Sequence, residues 1–214
     1  LVAGVGIMNI MLVAVAERDR RIGCVGPKTY FHGERPYLWS AGGELRFREA
    51  VTLERGMGKV DRGQYDRDQE VGYVNGCAIL IRRQAALAIG NWDPLFFICV
   101  DDADFCTRLK SAGFQCWYAH RAVVDHMVSR TTGGYTVGRN FRLGRSTGIY
   151  VRRYASRWQK LGFAIFTVGG LGSCGRCSSW CSALGAACLC GNDRIRRTNG
   201  AQGNRTLRRI GRDI

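Results

Sequence analysis

The chain has 214 residues, 46% of them hydrophobic, which is enough to bury a core and excludes a chain that is nothing but a disordered tail or a small disulfide-stapled peptide. Its 32 Lys and Arg against 17 Asp and Glu give a formal net charge of +15, a value that points towards a polyanionic partner such as nucleic acid, anionic lipid or a phosphorylated substrate. The excess is uneven: residues 1–120 carry 15 basic and 14 acidic side chains, residues 121–160 nine basic and one acidic, and residues 193–214 seven Arg and two Asp.

Residues 1–16 form an uncharged apolar run closed by Glu17-Arg18-Asp19-Arg20-Arg21. The run falls short of the roughly 20 residues that span a bilayer, while the arginines suit a cytoplasmic membrane border. A membrane-inserted helix and a buried core element both fit. The chain opens on Leu1 rather than Met and has no basic region ahead of the apolar run, so a natural N-terminus and a signal peptide are not expected. Val25-Gly26-Pro27-Lys28 reads as a strand end entering a loop, and Trp39-Ser40-Ala41-Gly42-Gly43 as a glycine-marked turn. Residues 54–70 are polar and Gly-rich and read as a mobile surface loop. Residues 71–82 form a buried strand broken at Asn75-Gly76 and resumed as an apolar strand, and residues 83–90 a short helix stopped by Gly90.

The sequence DDADFCTRLKSAGF follows from Asp101. Its three carboxylates crowd a helix start, where they meet free backbone N–H groups and the positive end of the dipole. Phe105, Cys106, Leu109 and Ala112 make the buried face, and Gly113 ends the helix. Residues 114–119 and 122–125 are two short strands leading to His126, and residues 136–160 a basic, Tyr-rich helical stretch. Beyond about residue 170 no helical or strand period survives, and residues 172–204 read as a disordered or frame-shifted tail. The cysteines divide the same way. Cys24, Cys77, Cys99, Cys106 and Cys116 sit in apolar surroundings, as reduced core thiols do, while Cys174, Cys177, Cys181, Cys188 and Cys190 crowd together without completing a paired zinc spacing.

The strongest chemical pattern is Asp101-Asp102 followed by His126. Adjacent carboxylates repel, so one is held protonated to higher pH and becomes a base suited to neutral conditions. Taken alone, helix-start carboxylates are more often caps, and a lone His more often a surface or core residue.

Five segments in order carry a resemblance: Val25-Gly26-Pro27-Lys28-Thr29-Tyr30, Leu38-Trp39-Ser40-Ala41-Gly42-Gly43, Val71 through Arg83, Phe96-Phe97 through Asp101-Asp102-Ala103-Asp104 to Ala112-Gly113-Phe114, and His126 with Ser129 and Thr131-Thr132-Gly133-Gly134. Residues 25–160 thereby resemble the C-terminal half of a bacterial family 2 glycosyltransferase of the rhamnosyltransferase-like type. Residues 1–23, with Gly6-Ile7-Met8-Asn9-Ile10-Met11-Leu12 leading to Glu17-Arg18-Asp19-Arg20-Arg21-Ile22-Gly23, resemble a segment of an ABC-type export permease. The division expected is residues 1–23, 24–160 as the acceptor-side half of the transferase domain, and 161–214 as an apolar stretch with a Cys- and Arg-rich tail.

The resemblance implies an α/β chain: a partial GT-A-like fold, an incomplete doubly wound sheet with C-terminal helices. It implies an inverting transfer from a nucleotide-sugar donor to a glycan or lipid-linked acceptor hydroxyl, at the cytoplasmic face of the plasma membrane. Asp102 matches the base, and Asp101 stands where the family usually has Glu. Asn75, Gly76 and Trp39 match acceptor-side positions. His126 matches a position that helps hold Mg²⁺ or Mn²⁺, and Asp104 a helix cap. The family's Asp-x-Asp metal motif after an apolar strand is absent: Asp66-Arg67-Asp68 has the letters but reads as a solvated loop. The chain is therefore expected to lack the donor-binding half and to be inactive alone. The basic, aromatic stretch from Arg139 to Lys160 suits an anionic membrane surface or a helix packed on the domain. The rival reading is a nucleic-acid- or membrane-surface-binding protein without catalysis. No specific nucleic acid is expected, because no zinc-finger, RRM or helix-turn-helix pattern is present.

Overall fold

A computed structural model describes residues 2–47, 51–127 and 137–173. Two strands dominate, β1 (Ile22–Phe31) and β7 (Gln115–His126), lying parallel from Ile22 beside Gln115 to Phe31 beside His126. The other edge of β1 is shared between two short antiparallel strands. β6 (Leu80–Ile81) takes the half around Cys24, and β2 (Leu38–Ser40) the half around Thr29. β5 (Gln69–Glu70) pairs with β7 at Trp117 and Tyr118. The sheet order is β2-β1-β7-β5, and a separate hairpin joins β3 (Gly43–Leu45) to β4 (Thr52–Glu54). This is a mixed α/β architecture.

β1 and β7 feed two cores, by alternation along Cys24-Val25 and Cys116-Tyr118-Ala119 and by a register irregularity between Ile22 and Cys24 that puts these two on opposite faces. Cys24, Cys116 and Tyr118 face one way, onto Phe105, Cys106 and Leu109 of helix α3 (Asp101–Ser111) and Ala85 of helix α2 (Arg83–Ala88). Ile22, Val25, Ala119 and Ala122 face the other way, onto Leu12 and Val15 of helix α1 (Val2–Ala16). The Leu, Ile, Val and Phe side chains among them contribute roughly 1.5–3 kcal/mol each when fully buried. A third core sits beyond α3, where Phe96, Val100 and Ala103 meet Leu143, Tyr150 and Val151 of helix α4 (Val137–Tyr154). Helix α5 (Arg157–Ser173) follows.

Several elements differ from the sequence expectation. Gly26-Pro27 lies inside β1 rather than at its end. The proline is tolerated because the ladder breaks beside it: Pro27 pairs with Ala119 and Lys28 with Val123, so β7 loops out three residues there. That bulge, at His120-Arg121-Ala122, takes in the gap at residues 120–121 between the two short strands expected, which form one strand. Gly26 is required by contact, since a Cβ would stand 2.1 Å from a Val74 methyl carbon. Residues 54–70 are anchored rather than mobile. Lys28 pairs with Asp61 at 2.8 Å and with Asp66, and Asp68 takes Arg18 at 2.7 Å and the His120 ring at 2.6 Å. The Asp66-Arg67-Asp68 carboxylates are thus committed to cations.

The N-terminal apolar run packs Leu12 and Val15 into the sheet, and β1 runs across the boundary expected at residue 23. Among the described residues no helix is long and apolar enough to cross a membrane. The tail expected beyond residue 173 and the Ser129–Gly134 segment lie outside the described residues.

Candidate functional site

The site is built where α3 begins. Cys99 and Val100 both adopt left-handed backbone, with φ of 67° and 64°. Such angles are uncommon for any residue with a Cβ and strained for a β-branched one. They turn the chain sharply into α3, so that Asp101 and Asp102 open the helix. No side chain caps it in the usual way, because Val100 occupies the cap position.

Asp102 reaches across to the loop after Val74. Its Oδ2 accepts the Gly76 N–H at 3.0 Å, and its Oδ1 the Ala103 N–H at 2.9 Å. A Cβ on Gly76 would lie 3.6 Å from the Asp102 Cβ, so the two segments are in van der Waals range. The loop is set by Asn75, whose Oδ1 accepts the Cys77 N–H at 2.9 Å while its Nδ2 donates to Glu54 Oε1 at 2.8 Å. The same Glu54 oxygen takes the Tyr73 hydroxyl, and its Oε2 is buried without a partner.

The electrostatics follow from this enclosure. Loss of hydration pushes the Asp102 carboxyl up to about 8, assisted by the charge of Asp101 and, less, of Glu54; the Gly76 N–H works in the opposite direction. Asp101 is raised by burial as well, against three backbone N–H groups that favour its charge. Glu54 is raised by burial against its hydrogen bonds. At neutral pH Asp102 is therefore mostly protonated and within reach of ionisation, the state a general base needs before it takes a proton.

Asn75, Gly76, Asp101 and Asp102 are brought together. Beside them a small cleft is lined by Gly26, Pro27, Thr29, Ser40, Gly42 and Asn75, among others. Trp39 and His126 meet each other instead, with ring centroids 5.7 Å apart, and Phe31 packs edge-on to Trp39 at 5.2 Å. Burial lowers the His126 imidazole below its ordinary value, so it is neutral at pH 7. Among the described residues the only group of three metal-capable side chains is Cys24, Cys106 and Cys116, away from His126. Mg²⁺ and Mn²⁺ want several oxygen ligands. The described residues around His126 do not supply that set.

Asp104 is corrected. It is not a cap: its side chain is 1% exposed and points into the domain. Oδ2 accepts Arg108 Nε at 2.8 Å, and Oδ1 accepts the Tyr154 hydroxyl at 2.7 Å and Arg153 at 3.1 Å. Arg153 also binds Asp93 at 2.7 Å, and Arg108 the carbonyls of Ile89 and Asn91. Sequence reasoning missed Glu54 entirely. Its one local signal is the short β-prone run Val51-Thr52-Leu53, which makes Glu54 the end of a strand rather than the start of the loop expected over residues 54–70.

The comparisons can be set against this geometry. The sequence profile of the family described as "Glycosyltransferase like family 2" matches residues 9–146. The match begins inside α1 and continues through Asp101, Asp102 and His126. The chain is also similar to an N-acetylglucosaminyl-diphospho-decaprenol L-rhamnosyltransferase of Mycobacterium tuberculosis, in strain CDC 1551 / Oshkosh and in strain ATCC 25618 / H37Rv. Identity to each is 30% over 91 residues, which is 42% of this chain and 30% of the relative's length. With most of its length under that profile, the chain belongs to the family 2 glycosyltransferase-like proteins.

Proposed function

We propose that this domain transfers a sugar from a nucleotide-sugar donor to an acceptor hydroxyl with inversion, on a GT-A-like scaffold, with Asp102 as the general base. The observation that carries the reading is the Asp102 carboxylate, held by Gly76 and Ala103 N–H groups and pushed up to about 8, at a helix start inside a family 2 domain. An inverting displacement forms one bond, from acceptor oxygen to anomeric carbon, as the bond to the diphosphate breaks. The acceptor proton passes to the Asp102 carboxylate, and the nucleoside diphosphate leaves with the electron pair. Asn75 and Gly76 shape the acceptor side, and Asp101 keeps Asp102 basic by charge. The rhamnosyltransferase relatives support a lipid-linked glycan acceptor.

In this proposal the 214 residues supply the acceptor side. Donor binding needs a carboxylate pair free to hold a metal diphosphate, and the Asp66-Arg67-Asp68 letters are spent on Lys28, Arg18 and His120. Calorimetry of the 214-residue chain with nucleoside-diphosphate sugars and Mg²⁺ or Mn²⁺ is expected to show no binding in the micromolar range. Micromolar binding would overturn that part of the reading.

A membrane-surface role is supported on α5, and on α4 only at Phe141, which is also exposed. Tyr150 is buried and Tyr154 is engaged by Asp104, whereas Trp158 is 82% exposed, Leu161 51% and Ile165 61%, next to Arg157 and Lys160. Exposed apolar side chains beside cations suit an anionic lipid surface. The chain is expected to float with vesicles rich in anionic lipid and to stay behind with neutral ones. Equal recovery with both would count against it.

A further inference from the structure

Three cysteines meet beneath the site. Cys24 comes from near the start of β1, Cys116 from the start of β7 and Cys106 from α3, one helical turn after Asp102. All three are buried, and their sulfur atoms all lie within 4.8 Å of one another, with Cys24 Sγ 4.0 Å from Cys106 Sγ. None is in a disulfide. The remaining contacts of these sulfurs are long: 3.9 Å from Cys106 Sγ to the Val74 carbonyl and 3.9 Å from Cys116 Sγ to the Cys106 carbonyl. The Val74 N–H points at Cys106 Sγ from 3.4 Å, a donor suited to an electron-rich sulfur.

We propose that Cys24, Cys106 and Cys116 form a buried three-sulfur site for a soft, monovalent metal ion, Cu(I). The argument is geometric. A metal–sulfur bond is about 2.3 Å, so three sulfurs around a trigonal ion stand about 4.0 Å apart. Cys24 and Cys106 already stand at that separation. At the outer bound of 4.8 Å the centre lies about 2.8 Å from each sulfur, so a rotation of a few tenths of an ångström closes the site. Softness and coordination number select the ion. Thiolates favour Cu(I), Zn²⁺ and iron–sulfur clusters over Mg²⁺ or Ca²⁺. Structural zinc takes four ligands, and among the described residues the three sulfurs have no fourth metal-capable side chain beside them. Cu(I) accepts three.

Charge is consistent with the choice. Binding releases two thiol protons to solvent and takes up one cation, leaving one net negative charge and one neutral thiol donor. The Val74 N–H and the neighbouring Lys110, whose ammonium bonds the Val71 carbonyl beside β7, offset that charge. A divalent ion with the same three sulfurs would still lack its fourth ligand.

The test uses the full chain with Cys174, Cys177, Cys181, Cys188 and Cys190 replaced by serine, so that they do not compete. Because the site is closed, Cu(I) is supplied anaerobically during refolding, buffered by a chromogenic chelator, and the protein is then desalted. One copper per chain is expected, with a raised Tm and an X-ray absorption signature of about three sulfurs near 2.3 Å. Cys24→Val with Cys116→Val, which keeps the core apolar, is expected to refold and retain none. No copper on the parent chain, copper in a nitrogen or oxygen environment, or undiminished copper on the double variant would each overturn the proposal. The absorption spectrum is read on the parent chain, so a variant that fails to refold leaves the test decisive.

Discussion

Asp102→Asn is expected to lower sugar transfer by roughly 10²- to 10⁴-fold, the usual contribution of a positioned general base. The amide fills the same space and can still accept the Gly76 and Ala103 N–H groups, so the helix start is preserved. Rates of wild type and variant are compared with donor-binding residues supplied. In the wild type the rate should rise about tenfold per pH unit up to about pH 8 and then level, following ionisation of Asp102. A variant that keeps this limb, or loses less than tenfold, removes Asp102 from the chemistry.

The same carboxyl has a stability consequence that needs no substrate. Unfolded, Asp102 ionises near pH 4; folded, it holds its proton until about pH 8. Between those values the native state binds more protons than the unfolded one, so stability is full below pH 4 and falls as pH rises. The slope from this one group is at most about 1.4 kcal/mol per pH unit. Urea unfolding at pH 5 and pH 7.5 should therefore show a wild type that weakens with pH and an Asp102→Asn variant that weakens less.

The largest structural effect is expected at Asp104. Replacing it by Ala removes the acceptor of Arg108, Arg153 and Tyr154 at once, leaving Arg108 with only the Ile89 and Asn91 carbonyls and Arg153 with only Asp93. Breaking a buried ion pair on one side costs about 3–5 kcal/mol, a large share of the stability of an ordinary domain. The variant should unfold at markedly lower urea or accumulate as insoluble protein. A loss below about 1 kcal/mol would mean that the arginines rehydrate, as at surface pairs.

What was legible in the sequence was local. The α3 start, its Gly113 stop and the short α2 follow from spacing and cap chemistry within a dozen residues. The helix over 136–160 was legible too, but not its break between Tyr154 and Arg157. What was hidden depended on distant partners. Gly26-Pro27 looked like a strand end because the bulge that accommodates the proline belongs to β7, some 90 residues on. Asp104 looked like a cap because its true partners, Arg153 and Tyr154, lie a helix and a strand away. Glu54 looked like loop because its burial comes from a hairpin folding against Asn75. The cluster of Asn75, Gly76 and Asp102 was visible, while the Glu54 carboxylate behind it was not.

The left-handed pair Cys99 and Val100 bears on how this protein would respond to selection. A glycine at residue 100 would relax the backbone there. It would also free the first turn of α3 to sample other directions, and with it the aim of Asp102 at Gly76. Mutants chosen only for heat resistance should drift towards such relaxation, and mutants chosen for turnover should retain the strained valine. On the role proposed for Asp102, the costly backbone at residues 99–100 is thus a point at which durability and turnover pull in opposite directions.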